Sequence, residues 1–207
     1  MSQKDRYGKF KKKDFVRIME STVKLLCQEF GYKKKPYLLE TKLRDDTLMG
    51  YMHKGKHSAI FYDYMRFKES FGDLRYDIQE AYASALTAHE MRHYYQHRQM
   101  IAKKPKEKDS VIKLWREDAM HVDNDDVSKY CLQPLELDAA LYEYCFGADY
   151  FDFALLDSIC NEAHLNAMEK LYVEYFGKTD EDLFGETIRK KVLARSNGCT
   201  STTDDEK

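Results

Sequence analysis

Proline and glycine are both scarce in this chain, three and nine among 207 residues, which leaves no Pro- or Gly-rich linker to divide it into domains. The five cysteines, at 27, 131, 145, 160 and 199, are odd in number and form no C-x-x-C pair. That argues against a disulfide framework and for a reduced, intracellular protein. No apolar run approaches the ~20 residues of a membrane span. The basic N-terminus, MSQKDRYGKFKKKDF, is followed by no apolar core of the kind a signal peptide needs. A soluble cytoplasmic protein with no membrane partner is the expectation. An excess of one charge is lacking too: 34 Lys and Arg against 36 Asp and Glu leave a net of -2. There is no global field to gather nucleic acid, and no nucleic-acid partner is expected. Three local basic runs, KFKKK at 9–13, KKK at 33–35 and KKPKEK at 103–108, read as solvated turns and helix ends.

What is present is a packable chain, 43% hydrophobic and 14% aromatic, long enough to bury about 70% of its unfolded surface without staples. One domain over 1–195 with a disordered polar tail over 196–207 is expected. Residues 14–30, DFVRIMESTVKLLCQEF, carry apolar side chains near helical spacing, with Asp14 as N-cap and Gly31 as the stop. Three short segments rich in β-branched and aromatic residues follow, at 36–43, 47–54 and 57–65, separated by turn-like RDD and KGK. They predict a small antiparallel sheet in meander order, the third segment being central or lying along a cleft. Helical pattern returns over 77–102, free of Pro and Gly. A break at KKPKEKD precedes a helix over 109–119, an acidic loop, and a helix from Pro134, which suits a first turn. Two or three further helices run to about 195. The class is α+β with helices dominant.

The chemistry is concentrated in HEMRH, residues 89–93. On a helix, i and i+4 share a face, so His89 and His93 can offer ring nitrogens to one ion at about 2.0–2.1 Å. Glu90 lies about 100° round the helix from His89, placed to reach a water held by the ion rather than to replace a histidine. Catalytic zinc takes three protein ligands. The candidate for the third is Glu136 in QPLELDAALYEY, where Ala139 and Ala140 would let a second helix lie close to the first. Asp138 or Glu143 could accept the second N–H of a ligand histidine.

HEMRH followed by PLELDA resembles the gluzincin-type zinc metallopeptidases, in particular the small intracellular bacterial and phage forms of the ImmA/IrrE-like and minigluzincin groups. The likeness covers about residues 57–145 and implies a zincin-like domain and a zinc-dependent hydrolase of peptide bonds in a protein or peptide substrate. It implies His89, His93 and Glu136 as zinc ligands and Glu90 as general base. The chain departs from that pattern in its spacer: 42 residues separate His93 from Glu136, enough for an inserted helix and lid. No helix-turn-helix pattern accompanies it. Tyr94, Tyr142, Tyr144 and His121 are the candidate oxyanion donors, and a strand within 57–65 is expected to bind extended substrate.

Other residues take plainer readings. His97 extends the i, i+4 row, but three successive turns do not converge on one ion. His53 and His57 flank a turn and are expected to be exposed. DNDD at 123–126 lacks the Gly and distal Glu of a calcium loop. Cys131 and Cys145 read as structural thiols. Two alternatives stand beside the peptidase: a catalytically silent zincin-fold regulatory protein, and an interaction protein in which HEMRH is accidental.

Overall fold

The computed structural model describes residues 9–44, 47–120, 130, 132–150 and 162–177. Helix α1 (Lys12–Phe30) forms because Phe15, Ile18, Met19, Val23, Leu26 and Phe30 recur at helical spacing, and this stripe is buried. It begins earlier than expected, with Lys11 as N-cap and Asp14 one turn in. The Asp14 carboxylate accepts the Lys11 backbone N–H at 3.0 Å, so it satisfies an orphan donor from inside the first turn rather than from the cap. Gly31 ends the helix in the left-handed region, φ 74. Tyr32 N–H then returns to the Cys27 carbonyl at 2.8 Å, the Schellman arrangement.

Strands β1 (Tyr37–Glu40), β2 (Met49–Lys54) and β3 (His57–Tyr62) form a mixed sheet in the order β1-β3-β2. The expected antiparallel meander is therefore corrected. The hairpin β2–β3 is antiparallel, its two-residue turn opened by Gly55 at φ 58. β1 lies on the far side of β3 and runs parallel to it, Leu38 opposite Ile60. β3 supplies fully buried Ile60 to the core and takes the centre, where both of its edges are paired. That also corrects the expected cleft strand: with no free edge, β3 cannot add a strand, and β2 is the strand that faces the cleft. Residues 64–65, read as strand from sequence, open a short helix α2 (Tyr64–Phe71), N-capped by Asp63 accepting Arg66 N–H at 3.2 Å.

Helix α3 (Tyr76–Met100) has 25 residues and is about 37 Å long. Ala81, Ala83, Ala85 and Ala88 are buried along its first half, so neighbours approach its backbone closely. α1, β2, α4 (Asp109–Ala119) and α5 (Pro134–Tyr150) pack around it, α5 most extensively. Ala139 on α5 is fully buried, as close helix approach requires. α6 (Glu162–Phe176) packs on α5, and Phe176 contacts Trp115 of α4 at 6.3 Å between rings. The protein is thus a predominantly helical α+β fold around one central helix. Among the described residues no helix is long and apolar enough to cross a membrane.

Candidate metal centre

His89 and His93 lie on consecutive turns of α3, and α5 brings Glu136 against them from its own first turn. Ligand-capable atoms of the three lie within 4.8 Å of one another. The two Nε2 atoms are 3.1 Å apart. One Glu136 oxygen sits 3.4 Å from His89 Nε2 and the other 3.3 Å from His93 Nε2. A tetrahedral ion with bonds of about 2.0–2.1 Å has ligand–ligand edges of about 3.3 Å; each of the three spacings is close to such an edge, the two ring nitrogens facing different oxygens of the one carboxylate.

The outer partners settle what the Nε2 atoms are. His89 Nδ1 faces Glu143 Oε2 at 3.0 Å and His93 Nδ1 faces Gln96 Oε1 at 2.8 Å. The Gln96 amide has one orientation only, because its Nε2 donates to the Leu135 carbonyl at 2.9 Å and to Asp138 at 2.7 Å. Both Nδ1 atoms therefore carry hydrogen, which leaves both Nε2 lone pairs pointing at each other and at a carboxylate. The two ring nitrogens and the carboxylate thus face one another as acceptors. Tyr130 donates to Glu136 Oε1, but neither Nε2 has a donor while the rings are neutral, an arrangement that a cation or added protons relieve.

The electrostatics say the same. Burial disfavours charge on His89, yet hydrogen bonds to Glu136 and Glu143 outweigh it and lift its pKa well above the ordinary 6.5. His93 is raised against burial by Glu136. Glu136, only partly buried, is held far below the usual carboxylate range by the two histidines, against the desolvation that would raise it. A site that grips protons this way grips metal ions by the same field, and the two compete. Metal affinity is expected to fall as the pH drops through the raised histidine pKa values, because a protonated Nε2 has no lone pair. Isothermal titration with zinc across neutral and acidic pH reads this directly, with proton release on binding.

Arg92 anchors the outer layer. It donates through Nε and Nη2 to the two Asp138 oxygens at 2.8 and 3.0 Å, with both side chains buried. Its guanidinium lies 4.7 Å from the Tyr95 ring centre and 5.1 Å from that of Tyr142. Asp138 thus orients a ligand histidine at one remove through Gln96, whereas Glu143 does so directly. Replacing Gln96 with Leu frees the His93 ring and is expected to weaken metal binding about 10–100-fold, measured by competition with a zinc chelator.

The triad opens into a cleft of ≈ 520 Å³, lined by Met49, Gly50 and Tyr51 of β2 and by Glu90 of α3 among others. Glu90 is buried, and burial raises its carboxyl above the ordinary range although His89 and His93 pull the other way. Tyr130 donates to Glu136 at 2.5 Å. His97, one turn beyond His93, is not in the triad. Its Nδ1 contacts the Tyr51 hydroxyl at 2.9 Å and its ring stacks on His53 at 3.6 Å. His53 and His57 are exposed, as expected, and Cys145 is a buried free thiol.

Of the expected oxyanion donors, Tyr94 turns away to the Lys34 carbonyl at 2.8 Å, Tyr142 is fully buried, and Tyr144 does not line the cleft. His121, the acidic loop at 123–126 and Cys131 lie outside the described residues. The cleft phenols are instead Tyr51 and Tyr130, which sequence could not single out among sixteen tyrosines. No protein-family model, curated protein or solved structure matches the chain. The site is a His, His, Glu group, on two packed helices, that could hold a metal ion.

Proposed function

We propose that the protein is a zinc-dependent metallopeptidase in which His89, His93 and Glu136 hold the metal and Glu90 is the general base. The observation that supports it most is the convergence of three acceptors with both histidine Nδ1 atoms already satisfied. A nitrogen-rich donor set with one carboxylate suits zinc. A bound zinc ion supplies Lewis acidity, lowering the pKa of water and polarising a carbonyl.

The chain's own residues do the rest. Glu90 lies beside the triad at the cleft wall, where its raised proton affinity suits it to take a proton from the attacking water and pass it to the leaving amine. Tyr51, whose phenol burial pushes up to about 12, remains neutral; its hydroxyl, which donates to Ser58 Oγ at 3.1 Å in the resting cleft, would turn from that partner to donate to a developing oxyanion. The edge strand β2 gives an extended polypeptide a backbone to lie along.

The test is hydrolysis of a quenched-fluorescence peptide library by zinc-loaded protein. Turnover is expected in the wild type, abolished by chelation, and reduced about 10²–10⁴-fold in Glu90→Gln with metal content unchanged. Stoichiometric zinc with no turnover of any library member would leave a metal-binding regulatory protein instead.

A further inference from the structure

Two of the three basic runs, far apart in sequence, meet in space, and a third lysine loop joins them. The last two turns of α3 gather all three. Tyr94 donates to the backbone carbonyl of Lys34, in the turn that carries Lys33, Lys34 and Lys35. Gln99 joins that turn to the 103–108 loop: its Nε2 donates to Tyr32 at 2.7 Å and its Oε1 accepts the Lys106 backbone N–H at 2.6 Å. Lys106 Nζ in turn donates to the Phe30 carbonyl at 2.9 Å. His97 stacks on His53 at the end of β2, next to the hairpin tip that carries Lys54 and Lys56. The parallel register of Tyr37 with Ala59 places the 33–35 turn beside the same tip.

All these lysines are exposed, as are Lys103, Lys104 and Lys108. The only acidic residue in segments 31–36, 53–57 and 103–108 is Glu107, which faces inward to accept from Tyr95 at 2.9 Å. The remaining basic run, 9–13, is at the opposite end of α1, where Lys12 pairs with Glu40. A chain of net charge -2 has therefore gathered two of its three basic runs and the hairpin lysines at one end.

That end is continuous with the cleft. His53, His97 and Met100 line the cleft wall and belong to the elements that hold the lysine loops. The geometry points to a docking surface for an acidic segment of a polypeptide whose neighbouring residues enter the cleft. This rests on the peptidase reading for the identity of the bound chain. Continuity with the cleft favours polypeptide over nucleic acid. Lysines are compact point charges on flexible stems, so they select for carboxylate density rather than for one sequence.

The experiment measures anisotropy of a fluorescein-labelled Glu/Ser-repeat peptide and its Gln/Ser counterpart on zinc-loaded full-length Glu90→Gln, which keeps a cut peptide from confusing the reading. The Glu/Ser peptide is expected to bind about tenfold or more tightly than its counterpart, with the advantage lost at high salt. It should also be lost in Lys33→Glu/Lys103→Glu/Lys104→Glu, whose circular dichroism melt and zinc content match the parent. Equal binding of the two peptides, or a triple variant that binds as well as the parent, overturns the inference. So does duplex DNA of matched charge displacing the Glu/Ser peptide at lower concentration than the unlabelled peptide does. Acidic-peptide binding through the lysines with no library turnover by wild type sinks the peptidase and leaves the surface. Turnover without acidic preference does the reverse.

Discussion

His93→Ala and Glu136→Ala are each expected to abolish stoichiometric zinc binding, whereas Glu90→Gln retains about one zinc per chain. With the two Nε2 atoms 3.1 Å apart and each 3.3–3.4 Å from a Glu136 oxygen, removing one of the three residues leaves two protein ligands, fewer than catalytic zinc sites use. Glu90 lies in the cleft wall beside the triad but is not part of it, so its amide keeps the shape and loses only the basicity. Elemental analysis of the purified proteins, with circular dichroism to check folding, reads the result. Full zinc retention in Glu136→Ala would show that another residue completes the site. Loss of zinc in Glu90→Gln would mean that Glu90 binds metal rather than protons.

The second large effect is on stability. Arg92→Ala leaves Asp138, which is fully buried, without its bidentate partner and is expected to cost about 3–5 kcal/mol, read from urea denaturation of the metal-free protein. Burial disfavours the Arg92 charge, but Asp138 more than compensates and raises its pKa, so each charge is held by the other. The double change Arg92→Met/Asp138→Leu removes both charges together and is expected to recover most of the loss. It should not recover zinc affinity. Gln96 would lose its Asp138 anchor, and the His93 ring would lose the orientation that Gln96 imposes. A double variant that is both stable and tight-binding would show that the ion pair serves packing alone. The separation of the two readouts is what assigns Asp138 a positioning role.

The sequence and the structure divide the work along the range of the forces involved. Helical periodicity is local, so α1, α3, α4 and the start of α5 at Pro134 were legible from apolar spacing and from breaks rich in Lys, Pro and Gly. The two-histidine face of α3 is likewise a consequence of 3.6 residues per turn, and Glu136 could be nominated because small residues follow it. Only the tertiary structure decided the rest. Sheet order depends on which strand the core encloses, and the period-2 pattern of β1 does not say on which side of β3 it lands. Gln96, Arg92 and Asp138 form one network only because α3 and α5 cross where they do. Tyr51 and Tyr130 reach the cleft from β2 and from just ahead of α5, with nothing in their local sequence to mark them. Nor could three lysine loops, each unremarkable alone, be known to meet at the end of one helix. Charges along a chain are local facts, but the surface they form belongs to the fold.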